Sequence, residues 1–240
     1  MGSDHADQAT VDYFNKMTTH YDVGVNLSKA LEFLKAAPAD SKLVDVGCGD
    51  GATLEYIRDN MPINNLYGMD VAENYLQEAQ QKTDCATVHG SVLDDNLINE
   101  YAEQFDYAVL RSVLHHLVGR DRKASKANAR LCINNTLRIL KPGGTLLIAE
   151  QTYSPHLLNF FTFWIKKTVG SVTNDRLSLG PEWLNIAQPV VSYYTPAQVI
   201  AYAGQSELSQ IESTRIFNSR KLALVIAPSL TFVTIERSAS

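Results

Sequence analysis

Short apolar runs alternate with stretches of helical spacing along most of the chain. The apolar runs at 43–46, 65–69, 85–89 and 105–110 have the length of buried strands. The longest helical stretch, 123–140, ends at a Lys-Pro-Gly-Gly sequence, and a fifth apolar run follows it. Strands that alternate with helices in this way form a parallel sheet with helices on both faces. The pattern therefore predicts an α/β fold of three layers.

The alternation stops after residue 150. Segment 151–194 contains three prolines and an aromatic helix-like run over 157–167, and it has no clear strand. The pattern then resumes with a helix and two strands, at 196–203, 210–217 and 222–227. The tail from Ser229 to Ser240 gives no signal. We therefore predict that 151–194 is an insertion after the fifth strand, at the sheet edge where ligands of open α/β sheets bind.

Three glycines at alternating positions follow the first strand. Asp45 precedes Gly47, Gly49 and Gly51, and the second strand ends about twenty residues later in Asp70. Glycine has no Cβ, so such a loop lets a ligand lie directly on the main chain. An acid at the end of the second strand is where ribose hydroxyls of an adenosine are bound. An adenosine-containing cofactor is indicated, whereas the alternatives are a tight turn that binds nothing and an Asp70 that only caps a helix.

The glycine spacing narrows the choice of cofactor. A dinucleotide loop reads G-x-G-x-x-G, but here the third glycine comes one residue earlier. Asp45 and Asp50 would repel a pyrophosphate, and they would not repel a ligand that carries an ammonium and a sulfonium. These residues argue against a nicotinamide oxidoreductase.

Composition excludes several other classes. The chain has 240 residues and a net charge of −5, and it lacks a basic run of five or more, so we expect one domain without a nucleic-acid partner. The three cysteines, Cys48, Cys85 and Cys132, are widely separated, which predicts reduced thiols in a cytoplasmic protein and no metal site. The polar N-terminus and the absence of a long apolar run predict no secretion signal and no membrane partner. We expect a monomer or homodimer.

Four motifs resemble the Rossmann-like (class I) S-adenosylmethionine-dependent methyltransferases: the D-x-G-x-G-x-G loop, Asp70, the run 105–110 with Val-Leu-His-His-Leu after it, and the run 140–148. The resemblance covers roughly residues 40 to 150. It implies a three-layer sandwich whose seven-stranded sheet is mostly parallel, with an antiparallel last strand. It divides the single domain into an N-terminal helical cap, a cofactor-binding core, a lid insertion and a C-terminal helix with hairpin, at 1–38, 39–150, 151–194 and 195–228.

The resemblance implies S-adenosyl-L-methionine as the cofactor and S-adenosyl-L-homocysteine as its product. The implied cofactor-binding residues lie in the N-terminal cap, the glycine loop and the strand ends: Tyr21, Asp45, Gly47, Cys48, Gly49, Gly51, Asp70, Val71, Ser91, Val92, Arg111 and Ser112. Two of these have alternatives. Arg111 could instead pair with Glu150 or bind an anionic substrate, and Tyr21 could be ordinary helix packing.

Two adjacent histidines, His115 and His116, follow the fourth strand, and Glu150 ends the fifth. An imidazole can take a proton from a hydroxyl or amine near neutral pH. The resemblance implies that a histidine at this position and Glu150 flank the acceptor, and we predict that only one of the two histidines faces the pocket. The residues predicted to line the acceptor pocket are aromatic: Tyr13, Trp164, Tyr193 and Tyr194.

The predicted function is methyl transfer from S-adenosylmethionine to an oxygen or nitrogen of a small organic molecule. An RNA or protein methyltransferase would share this core. However, the Asn/Asp-Pro-Pro-aromatic motif of many amino-directed nucleic-acid enzymes is replaced here by Arg-Ser-Val-Leu after the fourth strand. A non-catalytic protein that binds the cofactor is the third alternative, and the intact glycine loop argues against it.

Overall fold

The computed structural model describes residues 23–173, 190–218 and 227–238. They form a seven-stranded sheet in the order β3-β2-β1-β4-β5-β7-β6, in which β7 alone runs antiparallel to its neighbours. The strands are β1 Lys42–Val46, β2 Asn65–Asp70, β3 Ala86–His89, β4 Phe105–Arg111, β5 Leu140–Ser154, β6 Ser209–Asn218 and β7 Ala227–Arg237. The predicted fold is confirmed.

Seven α-helices lie within the described ranges: α1 Val25–Ala30, α2 Ala52–Asn60, α3 Glu73–Thr83, α4 Asp95–Glu100, α5 Arg122–Ile139, α6 His156–Thr173 and α7 Pro196–Ala203. Short 3-10 turns cover Glu32–Ala36 and Leu114–His116. Two apolar cores, one on each face of the sheet, hold the layers together. None of these helices combines the length and the apolar character that crossing a bilayer requires.

The described part of the N-terminal cap is one short helix and a 3-10 turn. Leu27, Leu31 and Leu34 are buried, as the predicted helix face requires. They pack in the same core as α2 and α3. The helix predicted before them, with Tyr13 and Tyr21, lies outside the described residues.

The last strand is displaced from its predicted position. It covers Ala227–Arg237 rather than 222–227, and the tail that gave no signal is therefore part of an interior strand between β5 and β6. Its buried hydroxyls explain the error. The side chains of Ser229 and Thr231 lie 2.8 and 2.9 Å from the Thr152 hydroxyl. Because these polar groups satisfy one another, the strand is buried without an apolar pattern.

The fifth strand is longer than predicted and moves the start of the insertion. Residues 151–154, which were assigned to the insertion, continue β5 and pair with β7 as far as Ser154 opposite Ala227. The described insertion therefore begins with α6. Its far end, 190–194, returns beside β5, where Thr152 and Tyr194 form a parallel bridge.

Candidate functional site

A cavity of about 550 Å³ opens at the carboxyl ends of β1, β2 and β4. β1 lies between β2 and β4, so the strand order reverses at this point, and ligands of open α/β sheets bind at such reversals. Most predicted residues that are described lie on the cavity wall: Asp45, Gly47, Cys48, Gly49, Asp70, Val71, Ser91, Val92, Arg111, Ser112, His115, His116 and Tyr193.

The first two glycines of the loop shape the cavity, and the third does not. Gly47 has a φ of +73° and Gly49 a φ of +51°, in the left-handed region that favours glycine. A Cβ on Gly47 would lie 2.5 Å from the Val113 side chain. Gly51, in contrast, is not part of the described wall. It begins α2 with a φ of +82°, and a Cβ there would lie 2.8 Å from the backbone of Ala79 on α3. Gly51 therefore packs two helices together, which corrects its predicted role.

Asp45 is a buried acid with an unused oxygen. Its side chain is 1% exposed, and Oδ1 has no hydrogen-bond partner among the described residues. Burial raises the pKa of Asp45 to about 7, although the nearby Arg111 guanidinium opposes this rise and the Asp70 carboxylate adds to it. An orphaned carboxylate oxygen in a cavity is suited to an ammonium group.

Asp50, the second acid of the loop, does not act as predicted. Its carboxylate lies 2.7 Å from the Lys82 ammonium on α3 and is 2% exposed. Because Lys82 compensates its charge, Asp50 contributes little repulsion to an anionic ligand. The charge argument against a pyrophosphate therefore depends on Asp45.

Asp70 accepts two backbone hydrogen bonds at the cavity, and the N-cap residue of α3 is Ala72. One oxygen accepts a hydrogen bond from the backbone N–H of Ala72 at 2.9 Å, next to the start of α3. The other accepts from the N–H of Gly49 at 3.0 Å and so fixes the glycine loop. Burial raises the pKa of Asp70, and these two backbone donors oppose the rise. The carboxylate also lies on the cavity wall, where ribose hydroxyls can donate to its remaining lone pairs.

We expect Asp70→Ala to weaken S-adenosylhomocysteine binding about tenfold or more in calorimetry, because bonds to a charged acceptor contribute about 1.5–3 kcal/mol. Asp94→Ala is the matched control, since Asp94 caps α4 by accepting from Asn96 N–H at 2.9 Å and lies away from the cavity wall. Both variants should lose thermal stability, and only the first should lose affinity. Unchanged affinity in Asp70→Ala would remove this residue from the ribose site.

Glu150 and His115 form a tight buried pair. Glu150 is fully buried in β5, and its Oε1 lies 2.5 Å from His115 Nδ1. The same carboxylate accepts from the backbone N–H of Leu114 at 2.9 Å and of Gln151 at 3.1 Å. Since an ionised carboxylate only accepts, Nδ1 carries the proton and Nε2 is the basic nitrogen. Glu150 is not on the described cavity wall, whereas its partner His115 is.

Both histidines line the cavity, which corrects the prediction that only one faces it. The 3-10 turn after β4 places their ring centroids 4.0 Å apart. Burial lowers the pKa of His116 well below its usual value, and the positive charges of His115 and Lys166 lower it further. His116 is therefore neutral at neutral pH.

Two tyrosines extend this surface. Tyr193 stacks on His115 at 5.2 Å between ring centroids, and Tyr153 lies 4.4 Å from Tyr193. The rings of His115, His116, Tyr153 and Tyr193 form a continuous aromatic surface, here called the ring wall. Ser192 N–H donates to the carbonyl of His115 at 2.8 Å and fixes segment 190–194 beside the histidines. The ring wall is suited to contact with a flat ligand.

Two of the residues predicted to line the pocket of the methyl acceptor lie outside the described cavity wall. Tyr194 is fully buried, donates its hydroxyl to the Ser125 carbonyl at 3.0 Å and packs on Tyr202. Trp164 is 41% exposed on α6 and packs against Phe163. Neither belongs to the described cavity wall. Adjacent side chains in an extended segment point to opposite sides, so Tyr194 points away from the side of Tyr193, and Trp164 lies on the exposed side of α6.

Several residues of the wall have no counterpart in the predicted set, among them the polar side chains of Thr53, Tyr75, Gln151 and Tyr153. Tyr75 lies in the first turn of α3, two residues after its start. Gln151 and Tyr153 follow Glu150 in β5, and period-two alternation would have placed both on one side if the strand had been extended. The Arg111 side chain lies near Thr53, with Nη1 3.3 Å from its hydroxyl.

Comparison with known proteins agrees with this geometry. Residues 44–146 match the family described as a methyltransferase domain. A tRNA (carboxymethyluridine(34)-5-O)-methyltransferase of Arabidopsis thaliana is 30% identical over 137 residues, which cover 57% of this chain and 30% of the relative. A carboxy-S-adenosyl-L-methionine synthase of Yersinia pseudotuberculosis is 31% identical over 108 residues, which cover 40% and 43%. The chain thus spans less than half the length of either relative.

Solved structures show the same fold. A S-adenosylmethionine-dependent methyltransferase from Methanosarcina mazei aligns with a TM-score of 0.61 at 14% identity, over 92% of this chain and all of the other. An N-methyltransferase from Bradyrhizobium japonicum, in complex with S-adenosylhomocysteine, aligns with a TM-score of 0.59 at 16% identity, over 98% and 99%. Residues 44–146 thus match a methyltransferase domain, and the likeness to these structures shows that the fold is shared with S-adenosylmethionine-dependent methyltransferases.

Proposed function

We propose that this protein binds S-adenosylmethionine in the cavity and transfers its methyl group to an oxygen or nitrogen of a small organic molecule. The observation that carries the proposal is the pair of His115 and Glu150, 2.5 Å apart, beside the same cavity as Asp45. The unpartnered oxygen of Asp45 suits the ammonium of the cofactor, and Asp70 suits its ribose. The cavity volume falls within the range of sites for small ligands, roughly 300–1,000 Å³.

The cofactor, when bound, supplies an activated methyl group together with its own leaving group. The residues of this chain hold it, align the acceptor and take up a proton. As the acceptor oxygen or nitrogen bonds to the methyl carbon, its proton passes to His115 Nε2. Glu150 keeps the imidazole in the required tautomer and stabilises the imidazolium that forms. The ring wall excludes water from one side of the acceptor.

The named relatives favour a second candidate function, which is a reaction on a carboxyl-bearing compound. This compound would be either part of a larger substrate or the cofactor itself. Their printed activities concern carboxymethyluridine in tRNA and a carboxylated S-adenosylmethionine. The net charge of −5 argues against a tRNA partner, because phosphate contacts need clustered lysines and arginines.

A labelled-methyl assay tests these alternatives together. The protein is incubated with S-adenosylmethionine that carries an isotope in the methyl group, and with either a metabolite extract or purified tRNA. We expect label in a small molecule and S-adenosylhomocysteine as the second product. Label confined to tRNA, or a cofactor made heavier by a carboxyl group, would replace the proposal by the corresponding alternative.

A further inference from the structure

A buried lysine lies on the face of α6 that contacts the ring wall residue Tyr153. Lys166 is on the inner face of α6 with Asn159 and Phe163, and the three residues are 4%, 2% and 0% exposed. They recur at i, i+4 and i+7, which places them on one side of the helix. Asn159 donates to the Tyr153 carbonyl at 2.9 Å, so this side faces the cavity region. A lysine is almost never this buried unless it is paired.

No carboxylate of the described residues compensates the charge of Lys166. Burial is the cause of its lowered pKa, and no acidic group of the described residues acts on it. Glu150 already receives three hydrogen bonds. Asp121 caps α5 and interacts with Arg120 and Lys167. The acceptor end of the site is therefore positively charged, in contrast to the acidic cofactor end.

The lysine acts on the cavity through His116. Its charge lowers the pKa of that histidine, which lines the cavity. The ammonium itself is not on the described wall, and it ends a four-carbon stem with several rotatable bonds. In a site shielded from water, a nearby charge acts strongly on a ligand.

We infer that the methyl acceptor is a flat aromatic acid, which stacks on the ring wall with its carboxylate directed to the Lys166 ammonium. The ring wall provides the stacking surface through Tyr193 and Tyr153, and the acceptor's hydroxyl or amino group faces His115. A bound carboxylate would supply the counter-charge that the described protein residues do not. This inference rests on the proposed function and names its substrate class.

Matched acids and amides test the inference. The protein is saturated with S-adenosylhomocysteine, and para-hydroxybenzoate, para-aminobenzoate and indole carboxylate are titrated by calorimetry beside their carboxamides. We expect each acid that binds to bind at least about tenfold more tightly than its amide, as for a buried ion pair. Lys166→Met should reduce this ratio to about one, and Lys166→Arg should restore a preference for the acid. Lys123→Met, which removes an exposed lysine of α5, should keep the wild-type ratio.

The possible failures are distinguishable. If S-adenosylhomocysteine itself does not bind, the proposed function fails. If it binds normally but acids and amides bind equally, or no acid of the panel binds, the acceptor class is wrong. A preference for the acid that survives in Lys166→Met would also overturn the role of this lysine. Loss of stability cannot imitate the expected result, because cofactor binding to each variant reports its fold.

Discussion

The His115→Ala variant is expected to bind S-adenosylhomocysteine with unchanged affinity and to turn over about 10²–10⁴-fold more slowly, since a positioned base contributes this much. The basic Nε2 is lost, whereas Asp45 and Asp70 are untouched. The measurement is kcat with the acceptor found in the labelling assay, together with calorimetry of the product cofactor. His156→Ala, which removes an exposed histidine at the start of α6, is the control and should retain full activity.

Glu150→Gln separates positioning from proton acceptance. The amide keeps the shape of the side chain but no longer stabilises the charged imidazolium, so we expect an intermediate loss of about 10–100-fold in kcat. Its effect should disappear when His115 is already alanine, because the two residues act as a unit. Full activity of His115→Ala would leave alignment of the reactants as the better account of catalysis.

The Asp45→Asn variant should show two opposite changes. Loss of the charged partner of the cofactor ammonium should weaken binding by about 3 kcal/mol, or about a hundredfold. Stability of the free protein should rise, because an ionised carboxylate is no longer buried. The pKa of Asp45 is about 7 in the folded protein, compared with 3.8 for an ordinary aspartate, which corresponds to at most about 4 kcal/mol.

The direction of the pH effect follows from this raised pKa. The unfolded chain ionises Asp45 near pH 4, whereas the folded protein retains the proton up to about pH 7, so stability is lost between these values as the pH rises. The stabilisation in Asp45→Asn should therefore be largest above pH 7 and vanish below about pH 4. Cofactor affinity of the wild type should fall as the pH drops below 7, because Asp45 is protonated.

Asp106→Asn is the control, because the pKa of Asp106 is shifted in the opposite direction from the pKa of Asp45. The Asp106 carboxylate lies 2.7 Å from the Lys141 ammonium, and its pKa is lowered. Its neutralisation should leave cofactor affinity unchanged and give no gain in thermal stability. Equal affinities of Asp45→Asn and the wild type across the pH range would remove Asp45 from the ammonium site.

The parallel half of the sheet was predictable because its strands are apolar and its helices are amphipathic. Glycines at positive φ and acids at strand ends also mark the cofactor end, since both are local features of the sequence. The C-terminal hairpin was not predictable in position. Its inner strand buries Ser229 and Thr231 in a hydroxyl cluster with Thr152, and this partner lies 77 and 79 residues away.

The acceptor end was predicted less well for a similar reason. Glu150 looks like an exposed acid at a strand end, but the extension of β5 to Ser154 buries it, and only the turn after β4 reveals that His115 is its partner. Lys166 looks like a surface residue of an amphipathic helix. Its burial depends on how α6 packs against the sheet, which no spacing in the sequence specifies.

Because Glu150 lies within a paired strand, the residues that accept the proton and the residues that select the acceptor belong to different parts of the fold. Glu150 is held in the ladder opposite Thr231, and His115 lies in the short 3-10 turn after β4, so the sheet anchors this pair. Lys166 belongs instead to α6, which begins after β5 ends. We therefore expect substitutions in this helix to change which molecule is accepted without disturbing the chemistry. A chimaera that exchanges α6 between relatives would inherit a new substrate preference on an unchanged catalytic base.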